Sequence, residues 1–398
     1  MAYRILSLDG GGSWALIQVR ALIELYGEAA QGHDILRNFD LVASCSGGSL
    51  VLAGLVENLT LAEILQYFRD EQKRRSIFSA TQNVVEAGVR RVFGIGPKYS
   101  AAAKLPALLA LLPNTGAAPL AGAMAAVTGP GGHAVHLLIV GYNYDSNRAV
   151  FFRSAPSGGP AWGASEATNA TLAAAVHAST NAPLNYFDAP AALPGWGDRF
   201  WDGGITGCNN PSVAAVVEAL TLDQAPQDVF VLSLGTGTVV PPVAPVGAEP
   251  SPFEIERQDP SLITDLRKLA TAILDDPPDA ATFIAHAMTG ANAGVPAPLD
   301  SHVIRMNPLI TPRRDDNGQW APPEGWTAAQ FRHLCNIDMD AVEANDVLYV
   351  DSYCSYWLAD QAPNQPIRMQ RSTLALELGH ATFGEAKAAW QTLFPVVT

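Results

Sequence analysis

F39-D-L-V-A-S-C-S-G-G-S-L-V-L-A-G54 sets Ser44, Cys45, Ser46, Gly47, Gly48 and Ser49 between two apolar runs. An apolar run of strand length, a cluster of tiny residues and a second apolar run read as strand, sharp turn and helix. A side chain at the point of such a turn stands out from strained backbone, and its neighbours two positions away on each side must be small. Ser44-Cys45-Ser46-Gly47-Gly48 meets that demand around Ser46. It departs from G-x-S-x-G in having Ser44 at the first glycine position, where a side chain narrows the turn.

The unit just before it has the same form. Y3-R-I-L-S-L-D9 is a short apolar run ended by glycines, and W14-A-L-I-Q-V-R-A-L-I-E-L-Y26 carries apolar residues at helical spacing. Further on, H136-L-L-I-V-G-Y-N-Y144 and A149-V-F-F-R153 read as a strand pair, and D228-V-F-V-L-S-L234 as a buried strand ended by G-T-G. Strands alternating with helices predict an α/β fold with a mainly parallel central sheet flanked by helices. V239-V-P-P-V-A-P-V-G-A-E-P-S-P252 is too rich in proline for regular structure and reads as a connection. Helical patterns follow at 262–274, 280–288 and 374–383. The organisation expected is a core over 3–238, a connection over 239–252 and a mainly helical part over 253–398 packed on the core.

Composition bounds the function. In 398 residues, 48% hydrophobic, a large core can be buried, and a formal net charge of −14 argues against nucleic acid as a partner. Cys45, Cys208, Cys335 and Cys354 are widely spaced, which suggests neither a zinc site nor a disulfide framework, and the start lacks the pattern of a signal peptide. A reduced, cytoplasmic setting is expected. Leu105 to Gly132 holds no charged side chain, yet Pro106, Pro113, Pro119 and Pro130 interrupt it, so a cap over a pocket is expected rather than a transmembrane segment.

Two further turns bear chemistry. L8-D-G-G-G-S-W-A15 presents backbone N–H groups at the positive end of a helix, an anion site. Gly10, Gly12 and Ala15 fit a loose dinucleotide pattern, but the acidic residue it needs belongs at the end of the second strand, and Asp40 stands at its start. The other reading of Gly10, Gly11 and Gly12 is an oxyanion hole. W201-D-G-G-I-T-G-C-N-N-P211 puts Asp202 at the head of a turn before a helix near Pro211. None of the eight histidines, at 33, 133, 136, 177, 286, 302, 333 and 380, sits in a comparable turn or has an evident partner carboxylate.

Together these residues resemble the patatin-like phospholipase family. D9-G-G-G12 is similar to its oxyanion loop, S44-C-S-G-G48 to its nucleophile elbow and D202-G-G204 to its D-G-A/G motif. P97-K-Y-S100, A178-S-T-N-A-P-L-N-Y-F187 and S233-L-G-T-G-T238 agree as well, with H302-V-I-R-M-N-P308 a fainter echo. The family usually carries Arg or Lys and then Gly after the glycine run, where this chain has Trp14 and Ala15.

The resemblance implies a three-layer α/β sandwich in which Ser46 attacks an ester and Asp202 is its base, without histidine, metal or cofactor. Gly11 and Gly12 would offer N–H groups to the oxyanion and Gly10 would permit the turn, while Ser44, Gly48, Gly203 and Gly204 complete the motifs. The expected partner is a lipid or ester substrate, including one at a membrane surface, and K104-L-P-A-L-L-A-L-L112 is expected to line the acyl-chain pocket. The alternative is a catalytically silent lipid-binding protein of the same fold.

Overall fold

Five parallel strands in the order β3-β2-β1-β7-β9 form the centre of the main sheet: β1 (Tyr3–Leu8), β2 (Leu41–Cys45), β3 (His136–Asn143), β7 (Val229–Leu234) and β9 (Val303–Met306). Antiparallel β4 (Arg148–Arg153), β5 (Ala191–Ala192) and β6 (Arg199–Asp202) complete its eight strands among the described residues, and β8 (Thr238–Val239) pairs outside it with Leu309–Ile310. The computed structural model describes residues 2–77, 98–125, 127–154, 170–183, 186–289, 301–367 and 378–395.

The parallel strands are buried on both sides, and their side chains alternate between two cores as a period of two requires. Ile5, Leu41, Ala43, Val229 and Val231 pack with Ala215, Val216 and Ala285, on the helices Ser212–Thr221 and Leu262–Met288. Leu6, Val42 and Leu232 face the other way, onto helices that include Leu16–Tyr26, Ser46–Val56 and Ala344–Leu358. The result is helix, sheet, helix in three layers.

The register of β3 decides where chemistry happens. One edge of β3 pairs with β4 over 138–143, so β2 and β6 must share the other edge. There β2 takes residues 136–140, ending at Cys45↔Val140, and β6 takes residues 141–143, beginning at Asp202↔Gly141. Cys45 and Asp202 thus face consecutive residues of one strand, roughly 3.3 Å apart along it. Ser46, the residue after Cys45, is delivered to Asp202 by strand pairing.

Three expectations are corrected. The Ala101–Leu111 helix runs through Pro106 instead of breaking there, and Leu112, just before Pro113, caps its end. Buried Leu108 and Leu112 anchor it to the core, which offsets the backbone bond that the proline cannot make. The two helices expected at 262–274 and 280–288 are one, Leu262–Met288. The last helix begins at Phe383, behind a Thr382 cap, and residues 378–382 are not helical; residues 374–377 lie outside the described residues, as do Pro97, Leu184 and Asn185 of the quoted motifs. The part after residue 252 contributes β9 to one edge of the main sheet. No helix among the described residues is long and apolar enough to cross a membrane.

Candidate active site

All five parallel strands end on the same side, and each candidate turn leaves the sheet there, as ligand sites in open α/β sheets do. Ser46 is the first residue of its helix and has φ 46°, a left-handed conformation that a side chain other than glycine seldom adopts. The strain is held by packing: a Cβ added to Gly48 would lie 2.5 Å from the carbonyl oxygen of Leu8 and 2.7 Å from that of Asp9, so the helix can approach β1 this closely only with glycine there. Ser44 does not narrow the turn. Its buried hydroxyl turns to that of Ser49 at 3.0 Å, which meets Ser179 at 3.1 Å, and Ser179 Oγ accepts the Ser46 N–H at 3.0 Å.

The Ser46 hydroxyl donates to Asp202 Oδ2 at 2.6 Å. The other carboxylate oxygen, Oδ1, accepts the Gly204 N–H at 2.8 Å, and the Asp202 N–H is tied to the Asn181 carbonyl at 3.0 Å. Gly203 lies so close to β3 that an added Cβ would come within 2.4 Å of the Val140 oxygen. Burial pushes the Asp202 carboxyl up to about 6, against the hydrogen bonds from Ser46 and Gly204 and the charge of Lys104, which pull it down.

The glycine loop packs against both. The Gly10 N–H donates to the Asn209 carbonyl at 2.8 Å, and the Gly10 carbonyl accepts the Thr236 hydroxyl at 2.7 Å. Gly12, at φ 57°, sits under the Met339 carbonyl, where a Cβ would come within 2.3 Å. The Ser13 N–H donates to that same carbonyl at 2.9 Å. The N–H groups of Gly11 and Gly12 take no part in these bonds, and Gly12 lines one cavity with Ser46, Gly47 and Asp202. Behind the loop, Arg305 of β9 meets the Asp9 carboxylate at 2.6 Å and the Ser233 hydroxyl at 2.8 Å. Trp14 is buried and donates to the Asp338 carbonyl at 3.3 Å.

The cavity is small, about 20 Å³, the space of one water. Leu50 and Ile77 form part of its wall and part of the wall of a second, apolar cavity of about 30 Å³ under Leu108, Leu111 and Leu112. Several lining residues escaped the sequence reading. Leu50, Ile77 and Met339 carry no motif of their own; Lys104 stood at the head of the K104–L112 run expected to line a pocket, and Thr180, Tyr186 and Phe187 stood inside A178–F187, where the signal was the motif and not a named side chain.

The histidines divide differently from expectation. His136 does have a carboxylate partner, Glu218 at 3.0 Å, and so do His333, with Asp346 at 2.7 Å, and His133, with Asp40 at 3.7 Å; each carboxylate comes from another element of the chain, which spacing cannot reveal. No described histidine lines the cavity of Ser46. Asp40 stands at the amino end of β2, where its carboxylate accepts the N–H groups of Arg4 at 2.8 Å and Gly131 at 2.7 Å. Among the described residues no cluster suited to a metal is present.

Comparison with known proteins adds to this geometry. A 64-residue stretch is 39% identical to the intracellular phospholipase A2 of Caenorhabditis elegans, over 16% of this chain and 6% of that protein, so the chain spans only a small part of that relative. The crystal structure of VipD from Legionella pneumophila aligns with a TM-score of 0.32 at 12% identity, covering 88% of this chain and 67% of that one. The profile of the patatin-like phospholipase family matches residues 6–216. With more than half of its 398 residues inside that match, this protein belongs to the patatin-like phospholipase family.

Proposed function

We propose that the protein is a serine lipid acyl hydrolase that cleaves carboxylic esters of phospholipids or related acyl lipids. The observation that carries this reading is the 2.6 Å hydrogen bond from a strained, left-handed Ser46 to a buried Asp202. A serine hydroxyl needs a base, and a carboxylate is ordinarily about two units weaker than imidazole. A carboxylate raised to about 6 by burial closes most of that gap, and direct contact with the hydroxyl supplies the geometry.

On this reading Asp202 takes the Ser46 proton as Oγ attacks the ester carbonyl carbon. The oxyanion that forms is received by the N–H groups of Gly11 and Gly12. Collapse breaks the bond to the alcohol, which leaves with the proton held by Asp202, and an acyl group stays on Ser46. A water then gives a proton to Asp202 and attacks the acyl carbon; collapse breaks the bond to Ser46 Oγ, which takes the proton back from Asp202, and the acid leaves. The apolar cavity beyond Leu50 and Ile77 is where the acyl chain would run, and at about 30 Å³ it must widen to admit one.

Ser46→Ala removes the nucleophile without adding bulk. It should lower hydrolysis of p-nitrophenyl esters and of phosphatidylcholine vesicles by several orders of magnitude with the melting temperature unchanged. Hydrolysis at the parent rate would end the assignment. A folded parent that binds lipid and releases no acid would support the silent lipid-binding alternative.

A further inference from the structure

Lys104 is among the largest fully buried side chains of the molecule, with no exposure at all. A lysine ammonium is hardly ever buried without a partner, because leaving water is costly for a charge. Its Nζ donates to the Thr180 carbonyl at 2.5 Å and stands 4.0 Å from the centre of the Phe187 ring. A carbonyl and a ring face stabilise a cation without neutralising it. Among the described residues no carboxylate lies within ion-pair distance of Lys104, yet it lines the same cavity as Ser46 and Asp202.

We propose that Lys104 is a positioning residue of the hydrolysis: its buried ammonium is the counter-charge that keeps Asp202 a carboxylate beside Ser46 in the cavity they share. The inference rests on the acyl-hydrolase reading given above and extends it to a residue that no motif marks.

The other groups around the cavity cannot play this part. On the Leu172–Ser179 helix, His177 is buried and its ring is pushed down to about 3, by burial first and by Lys104 second, so it is neutral at working pH. On the Glu71–Ile77 helix, Arg74 directs its N–H groups to the carbonyls of Phe68 and Val342. The Tyr186 hydroxyl is held by Asp338 and that of Tyr99 by Asp340, and both carboxylates pair with Lys98. The Cys45 thiol is pushed up by burial and then by Asp202, and stays protonated. Burial acts on Lys104 and Asp202 in opposite senses: it lowers the lysine and raises the acid, and each charge resists the shift of the other. Lys104 stands off from the carboxylate, so Asp202 keeps Oδ2 free to serve the Ser46 hydroxyl.

The test is the pH profile of Lys104→Met and Lys104→Gln with neutral p-nitrophenyl butyrate, which has no anionic group for a lysine to bind. The rate at which a fluorophosphonate labels Ser46 is followed over the same pH range. Without the cation, the acid limb of kcat/KM and of labelling should move up by about one pH unit or more. Activity at pH 6 should then fall about fivefold or more while activity at pH 9 stays near the parent's, and Lys104→Arg should restore the parent limb. Should the Met variant fail to fold, Gln, which keeps a donor for the Thr180 carbonyl, gives the same profile. A limb that stays in place or moves down, an equal loss at every pH, or a change in KM alone would overturn the proposal. Asp202→Asn, run alongside, separates the two ideas: if it remained active the acyl-hydrolase reading itself would fall, whereas an inactive Asp202→Asn with an unmoved limb in the Lys104 variants would remove only the role of Lys104.

Discussion

Asp9 and Asp202 look alike in the sequence, each an aspartate leading a run of glycines at the end of a strand, and both are buried. Their partners differ. Asp9 meets the Arg305 guanidinium head-on at 2.6 Å, while Asp202 meets only neutral donors, the Ser46 hydroxyl and the Gly204 N–H. Burial raises both carboxyls, and at Asp9 the opposing charge and hydrogen bond of Arg305 pull back. A carboxylate locked in an ion pair braces a loop. One whose cation stands at a distance keeps a lone pair for a proton.

The sharpest way to break this contrast is Asp202→Asn, which keeps shape and removes basicity. It should cost on the order of a thousandfold or more in kcat, in the range seen when triad members are lost. The melting temperature at neutral pH should not drop, because an acid raised in the folded state subtracts stability above its raised pKa. A drop in stability with activity retained would make Asp202 the brace.

Next in size is Arg305→Met, which strands Asp9 without its cation. Breaking a buried pair on one side should remove about 3–5 kcal/mol of folding stability, read from denaturant unfolding. The loss should shrink on acidification, as Asp9 takes up a proton. A variant as stable as the parent would show that Asp9 is no more committed than Asp202.

The third test uses pH alone. The base must be ionised, so the activity of the parent should fall as pH drops through about 6, roughly tenfold per unit below it, without loss of fold. A limb near 4 would mean that burial does not raise Asp202 in solution. The smallest effect is expected at His177: His177→Gln should leave ester hydrolysis within about tenfold of the parent, since its ring is neutral and does not line the cavity. A loss as deep as that of Asp202→Asn in a folded variant would make a histidine the base.

What the sequence made legible was whatever depends on local backbone geometry. S44-C-S-G-G48 had to be a sharp turn because only tiny residues fit beside β1, and the D-G-G turns could be read for a similar reason. Proximity of Ser46 and Asp202 could not be read from a separation of 156 residues; it follows from β2 and β6 sharing one edge of β3. Lys104 was hidden more thoroughly. It heads the K104–L112 run expected to line a pocket, but nothing local distinguishes an inward lysine from a solvated one, and only the packing of the Ala101–Leu111 helix turns it inward. Pro106 misled for the converse reason, since tertiary contacts outweighed its local preference.

The glycine loop rests on residues from far along the chain: the Met339 carbonyl covers Gly12, and Arg305 holds Asp9. Both lie beyond residue 216, where the match to the family stops. This matters for recombination. A chimaera joined in the Pro-rich stretch at 239–252, with its front from this protein and its back from a relative, would inherit Ser46, Asp202 and every glycine of the loop, yet the loop would rest on a foreign floor. Such hybrids would keep every motif up to Thr238 and still be poor hydrolases, and Arg305 and the backbone path that carries the Met339 carbonyl are the first features to restore in repairing them.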